Sequence, residues 1–465
     1  MIAIIGAGTA GLTARREVAR VTDDYVLIDP GPLGTTCARV GCMPSKAFIQ
    51  VANDFHRRHH WQKMGISGAD QAAVNSVEVM NHVRRHRDRF TGGTVKGMQG
   101  FDDHLIRKKA RFIDAHTLDL EGETHHADKI IIATGSAPFI PPNWKAFESH
   151  LITTDSLFEL DKLPKSMAIL GLGIIGLELG LALSRLGVKV VSLGRDSQLG
   201  GASDPLVLAS IKKILEPELN FQFGEIEILG INSKNQLEVK CGGNIFSVDK
   251  ALVAIGRRPR LLDLQLENAG IKFDSRGMPD YDPCNFSLKD APHLFLAGDV
   301  NAHRPLLHEA SDQGFITGFS AASNGESLPG FQTRTPLAVT FTEPQIASAG
   351  KRFVDLKAGE FVIGTSDFGN QGRAVMMNAS GGLIQLYADA KSGLVLGAEL
   401  FTAESEHMAH LLAWSIQQNQ TVFDLLRMPF YHPVLEEGLR SAIRHAADQV
   451  KGQDGKRFLE LKQIY

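Results

Sequence analysis

Two of the four cysteines in this 465-residue chain fall within one short stretch, residues 35–46, which reads Thr-Thr-Cys-Ala-Arg-Val-Gly-Cys-Met-Pro-Ser-Lys. Cys37 and Cys42 lie five positions apart, and an undistorted helix advances about 7.5 Å over that interval. A disulfide tolerates roughly 7 Å between Cα atoms. A bridge here therefore requires a bent backbone, which Gly41 permits, and a bent bridge is readily reduced. Two unrelated buried thiols are the bland alternative. Thiol–disulfide chemistry is the stronger reading, because the pair lies just past a dinucleotide-binding pattern. Near the other end, Phe430-Tyr431-His432-Pro433-Val434-Leu435-Glu436-Glu437 sets a histidine before proline with Glu437 just over one helical turn later. His432 alone would read as a satisfied core histidine. An X-Pro bond that admits the cis form, beside a His and Glu pair, favours an aimed imidazole.

Those groups need elements to position them. Residues 1–5 read as an apolar strand, Gly6-Ala-Gly8-Thr-Ala-Gly11 as a tight turn into a helix ending near Ala19, and residues 25–28 as the next strand, closed by Asp29. In this order the glycines let backbone N–H groups and a helix N-terminus approach a pyrophosphate, while the acid holds ribose hydroxyls. Residues 48–101 look helical, and the basic run Arg84, Arg85, Arg87 and Arg89 is expected on a solvated face. Residues 108–120 read as a pair of strands, and residues 129–133 as a strand running into the turn Thr134-Gly135. A proline-rich linker spans 137–144.

Beyond Pro164 the architecture repeats, with a strand at 167–170, the turn Gly171-Leu-Gly173-Ile-Ile-Gly176, a helix at 177–186 and a strand at 188–193. One chain with two such fingerprints binds two dinucleotides, the arrangement of a flavoprotein served by a nicotinamide nucleotide. Where the first repeat has Asp29, the second has Gly194 followed by Arg195. An arginine there pairs with a 2′-phosphate, which points to NADP(H). Gly176 and the neighbouring Asp196 point back to NAD, and the choice stays open. Residues 251–257 form a further strand and glycine turn, and residues 295–298 a strand ending on Asp299, placed to reach a ribityl hydroxyl. From about Leu337 the pattern becomes α+β, with strands at 337–341, 383–388 and 395–400 and helices at 404–417 and 435–447.

A formal net charge of −3 without a sustained basic tract implies neither nucleic acid nor an anionic membrane as partner. Residues 167–183 are apolar but carry Glu178 and several glycines, so a strand and buried helix fit better than a membrane span. With no leader before the first strand, the expected location is cytoplasmic. His59, His60, His125 and His126 lack a third ligand at metal-like spacing and are expected on the surface, with no metal site. Cys241 and Cys284 are expected as packing residues.

Taken together, the cysteine stretch with Pro44-Ser45-Lys46, Thr134-Gly135, residues 171–178, Gly256-Arg257, Gly298-Asp299, residues 305–310, Thr342-Glu343-Pro344 and residues 432–437 resemble the pyridine nucleotide-disulfide oxidoreductases. Among these, the chain is most similar to the dihydrolipoamide dehydrogenases, over essentially its whole length. The resemblance implies an α/β fold with two Rossmann-like dinucleotide-binding domains and a C-terminal α+β dimerisation domain. The division is FAD domain at 1–143, NAD(P) domain at 144–262, a second part of the FAD domain at 263–335 and dimerisation domain at 336–465.

It also implies roles. Cys42 stacks on the flavin as a charge-transfer thiolate and Cys37 exchanges with the substrate. His432 reaches across from the second subunit as base, oriented by Glu437, and Lys46, paired with Glu178, sits near the flavin N5. FAD is held by Gly6, Gly8, Gly11, Asp29, Gly34, Thr36, Lys46, Ala110, Thr134, Gly135, Asp299 and Leu307. The nicotinamide nucleotide is held by Gly171, Gly173, Gly176, Glu178, Arg195 and Gly256. The implied partners are a second copy of the chain and a lipoyl-bearing protein or small disulfide. Thr35, Arg39, Val434 and Gly194 depart from the family pattern, where glycine, asparagine, threonine and an acid are usual. Residues 461–465 lack the cysteine pair of mercuric reductase and of certain thioredoxin reductases. Residues 91–97 and Leu306-Leu-His308 follow the lipoamide branch rather than glutathione reductase. An NADPH-dependent reductase of another small disulfide and a non-catalytic redox sensor are the alternatives.

Overall fold

The structure is a computed structural model that describes residues 1–323, 328–451 and Leu461. The stretch 461–465, where the chain carries no cysteine pair, lies, apart from Leu461, outside the described residues. Ile2–Ile5 is buried along its whole length, as a strand covered on both faces requires. It is the middle strand of a five-stranded parallel sheet ordered Leu294–Leu296, Lys129–Ile132, Ile2–Ile5, Tyr25–Ile28, Leu105–Ile106. Helix α1 (Thr9–Val18) leaves its C-terminal end through the first glycine turn. Two short-range partners follow: α2 (Thr36–Arg39) carries Cys37, and α3 (Cys42–His56) begins on Cys42. Helix α4 (Ser76–Met98) packs back against α3. Helicity is not continuous across 48–101, because Gly65 and Gly68 adopt left-handed φ values of 79° and 91°, which an α-helix excludes.

The second sheet repeats the first. Its order is Phe221–Phe223, Lys189–Gly194, Ser166–Leu170, Lys250–Val253, Leu151–Ile152, again parallel and again centred on the strand that enters a glycine turn. Helix α5 (Ile174–Arg185) follows that turn and α6 (Pro205–Leu219) covers the same sheet. Among the described residues no helix is long and apolar enough to cross a membrane. The proline-rich stretch is not a free linker: Ser136–Pro138 pairs antiparallel with Arg257–Pro259, and Pro142–His150 is a 3-10 helix.

Helix α7 (Leu307–Ala322) packs on α1, and a third, antiparallel sheet follows, ordered Leu337–Thr340, Gln345–Gly350, Val395–Thr402, Leu383–Asp389, Phe361–Asp367. Helices α8 (Ser405–Gln417) and α9 (Glu436–Ala447) complete its core. Gln345–Gly350 and Phe361–Asp367 are additional to the sequence expectation; each contains glycine or small polar residues and gains strand structure from its neighbours.

Two expectations are corrected. Arg84 and Arg87 do not lie on a solvated face: Arg84 donates to the Leu160 carbonyl at 2.7 Å, and Arg87 pairs with Glu159. Only Arg85 and Arg89 of that run are exposed. Cys284 is exposed rather than packed, in a loop where its backbone N–H donates to Asp282, whereas Cys241 is buried as expected.

Close approach of α1 and α7 rests on two glycines. A Cβ at Gly314 would meet the Ala10 carbonyl oxygen at 2.3 Å, and one at Gly318 would meet that of Ala14 at 2.5 Å. Gly318→Val is expected to force the helices apart, at a cost of about 1–3 kcal/mol. Thermal unfolding would show a lowered Tm; an unchanged Tm would mean that the interface yields freely.

Candidate active site

Both glycine turns build the same cradle. At Gly6, φ is 110° and a Cβ would lie 2.3 Å from the Ala133 carbonyl oxygen; at Gly171, φ is 103° and the same atom would lie 2.5 Å from that of Ala254. The third glycines, Gly11 and Gly176, would put a Cβ 1.8 Å and 1.9 Å from the carbonyl oxygens of Gly6 and Gly171. The middle ones, Gly8 and Gly173, face open space within 4 Å. Gly8 and Gly173 also precede α1 and α5 without any side-chain cap, and neither helix has an acid in its first turn. Unsatisfied N–H groups and the positive end of the helix dipole therefore meet a gap a pyrophosphate fits. The residues present fit a dinucleotide at each cradle.

Other predicted FAD residues surround the first sheet. Asp29 follows Tyr25–Ile28, and its carboxylate accepts the N–H groups of Ala7 at 2.6 Å and Gly31 at 2.7 Å, so it braces the glycine turn. Thr134 donates its hydroxyl to the Arg260 carbonyl, and Gly135 sits at φ 69°. Asp299 accepts the Ser136 hydroxyl at 2.7 Å, and Arg257 donates to the same Ser136 oxygen. Gly34 has φ 116°, Ala110 is buried in the sheet core and Leu307 is exposed at the start of α7. Gly256, in the turn after Lys250–Val253, sits at φ 125°.

Thr35, where the family has glycine, holds φ 61° and ψ 149°, a conformation strained for a β-branched residue by roughly 1–3 kcal/mol. Part of this is offset by its side-chain oxygen, which accepts the Ala38 N–H at 3.2 Å and caps α2. Thr36 is the first residue of that helix.

The break at Gly41 puts the two thiols on separate helices. Both cysteines are free thiols here, Cys37 half-buried and Cys42 exposed. They share one proton unevenly: the hydrogen bond from Cys37, helped by the charge of Lys46, lowers Cys42 to about 6 against the opposing effect of burial, while the same bond and burial raise Cys37. Cys42 is also the first residue of α3, where the helix dipole favours a thiolate. Lys46, one turn later, pairs with Glu178 of α5 at 2.8 Å, and Glu178 is only 4 % exposed. The other Glu178 oxygen accepts the Phe341 N–H at 2.8 Å, and the lysine Nζ stands 4.6 Å from the Phe341 ring centre. Phe341 was not singled out from sequence, although it directly precedes Thr342-Glu343-Pro344.

His432 lies elsewhere. Its Nδ1 is 3.0 Å and 3.1 Å from the two Glu437 oxygens, its side chain is 80 % exposed, and the peptide to Pro433 is cis. The Glu437 carboxyl is held below its usual range by His432 and by the Val434 N–H. Among the described residues no hydrogen bond joins His432 to either cysteine of its own chain. Arg195 follows the strand Lys189–Gly194 and is exposed. A Cβ at Gly194 would stand 2.7 Å from the Leu172 side chain, and the Asp196 carboxylate is turned to the Gln198 N–H. No group of three or more His, Cys, Asp or Glu suited to a metal occurs among the described residues.

Comparison with known proteins agrees with this arrangement. The pyridine nucleotide-disulphide oxidoreductase family matches residues 1–314, and its dimerisation domain matches residues 337–443. A dihydrolipoyl dehydrogenase of Bacillus subtilis is 31% identical over 449 residues, covering 93% of each chain. One of Haloferax volcanii is 30% identical over 463 residues, covering 96% of each. Among solved structures, LpdA of Mycobacterium tuberculosis superposes with TM-score 0.83 at 22% identity, covering 95% of this chain and 98% of that one. The Cu(II) complex of the HOCl-induced flavoprotein disulfide reductase RclA from Escherichia coli gives 0.81 at 23%, covering 97% and 100%. At these identities the likeness is one of fold.

The shared proton is directly testable. In the reduced protein, alkylation of Cys42 by iodoacetamide should follow a midpoint near pH 6, and Cys37→Ala should move that midpoint upward, toward the ordinary thiol value of about 8.5. A midpoint that stays put in the variant would assign the effect to Lys46 and the helix end instead.

Proposed function

Since the chain belongs to the pyridine nucleotide-disulphide oxidoreductase family, whose members use FAD and NAD(P), we propose that it oxidises dihydrolipoamide, a lipoyl dithiol, as a homodimer. The observation that carries this is the Cys37 and Cys42 pair, with Cys42 poised as the thiolate one turn from Lys46, which is paired with the buried Glu178. The dihydrolipoyl dehydrogenases matching over nearly the full chain support the choice of substrate. Residues 1–143 and 263–335 hold FAD, residues 144–262 the nicotinamide nucleotide, and residues 336–465 the second subunit.

With the pair oxidised, a substrate thiolate attacks the Cys37 sulfur, forming a mixed disulfide and releasing Cys42 as thiolate. The second substrate thiol loses its proton to His432 of the partner subunit, attacks the mixed bond, closes the substrate disulfide and frees Cys37. The substrate has lost two electrons and the enzyme pair has gained them. Glu437 fixes the tautomer of His432 and stabilises the imidazolium that forms. Lys46 opposes the negative charge that reduction builds beside it. Bound FAD supplies the two-electron relay between this dithiol and the nicotinamide.

A second reading, an NADPH-dependent reductase of another small disulfide, is favoured by one feature. Position 194 has no acid to repel a 2′-phosphate, and Arg195 has no ion-pair partner among the described residues. A redox sensor without turnover has no use for the His432 and Glu437 pair.

The assay is steady-state oxidation of dihydrolipoamide with NAD⁺ and NADP⁺ in parallel. Rapid nucleotide reduction is expected, and His432→Gln should keep FAD while losing activity by roughly a hundredfold or more. An unchanged rate in that variant would remove His432 from the mechanism. No turnover with either acceptor, beside fast flavin reduction by NADPH, would replace lipoamide with another disulfide; a Michaelis constant for NADPH far above that for NADH would end the role of Arg195.

A further inference from the structure

Helices α3 and α5 run side by side in the same direction, and their polar contacts recur at one interval. Lys46 pairs with Glu178, and Asn53 accepts from Arg185 at 2.8 Å. Lys46 and Asn53 are seven residues apart, as are Glu178 and Arg185. Seven residues are two turns, about 10.5 Å of rise with a drift of only about 20° around the axis, so both rungs lie on one seam. Between them, Phe48, Ile49 and Ala52 of α3 share a buried cluster with Leu179, Ala182 and Leu183 of α5.

Each rung is also held by the same short segment of the third sheet domain. Glu178 takes the Phe341 N–H, and Arg185 bonds both the Glu343 carboxylate, at 2.6 Å, and the Glu343 carbonyl, at 3.0 Å. Arg185 completes its set with the two Glu218 oxygens, at 2.9 Å and 3.1 Å. Its five N–H groups meet five acceptors, with the side chain only 2 % exposed. His56, 3.6 Å from Glu218, is pushed down to about 4 by burial and by Arg185, and so adds no competing charge at neutral pH.

We propose that Arg185, through Asn53, is a positioning residue that sets the register and tilt of the cysteine-bearing helix α3 against the nucleotide helix α5. The first rung alone leaves α3 a pivot at Lys46. The second removes that freedom, and it acts at the far end of the helix that begins on Cys42. Displacing α3 moves Cys42 relative to Cys37, which sits on the separate helix α2, and weakens the hydrogen bond between them. The titratable and charged groups that face Cys42 are Cys37, Lys46 and Glu178.

This inference rests on the dithiol reading given above, so its test has two arms. Replacing Arg185 leaves the half-buried Glu218 and Glu343 without their cation and empties a buried site, which risks the fold. Asn53→Ala deletes only the contact to α3, and Asn53→Asp restores an acceptor for Arg185. In the holoenzyme, Asn53→Ala is expected to lower kcat with dihydrolipoamide about tenfold while the nucleotide KM stays within twofold. The pH midpoint of Cys42 alkylation should rise by about one unit, and Asn53→Asp should recover both. Wild-type kcat and alkylation profile in Asn53→Ala, or no recovery in Asn53→Asp, would overturn the proposal. If the unmodified enzyme oxidises no dihydrolipoamide, the substrate assignment has failed, and the alkylation profiles still decide the positioning role.

Discussion

A carboxylate as buried as Glu178 keeps its charge only if its oxygens are answered. One is met by the Lys46 ammonium and the other by the Phe341 N–H. These partners come from the cysteine-bearing helix and from the end of the first strand of the antiparallel sheet, while Glu178 itself lies just past the second glycine turn. Three parts of the chain thus converge on one group. Lys46 is held where it is because Glu178 has no other cation among the described residues.

The nucleotide cradles were legible because backbone geometry leaves little choice. Where a Cβ would overlap a carbonyl oxygen below 2.5 Å, as at Gly6 and Gly11, only glycine serves, and the pattern repeats at Gly171 and Gly176 with nearly the same distances. The His432 and Glu437 pair was legible for a related reason: proline after the histidine and an acid five residues on fix the ring locally. The cysteine pair needed one inference more, that Gly41 breaks the helix. The structure places that break between α2 and α3.

What escaped the sequence reading depends on contacts between segments far apart in the chain. Arg84 and Arg87 look like a solvated run until Glu159 and the Leu160 carbonyl are brought to them. The Arg185 network draws on Asn53, Glu218 and Glu343, and nothing near any of these announces the others. The sequence suggests a ribose partner in Asp29, whereas its two oxygens close the glycine turn through the Ala7 and Gly31 N–H groups. Gln345–Gly350 and Phe361–Asp367 carry too little apolar alternation to be read as strands without their neighbours.

The side of α5 that is buried against α3 limits how such chains can be recombined. Twelve residues carry the third glycine of the second turn, the acid that fixes Lys46 and the arginine that binds the far end of the cysteine helix. The nucleotide unit is therefore not an exchangeable cassette. A chimera that imports it from a relative inherits a foreign docking face for α3, and grafting succeeds only when residues 46, 53, 341 and 343 travel with it.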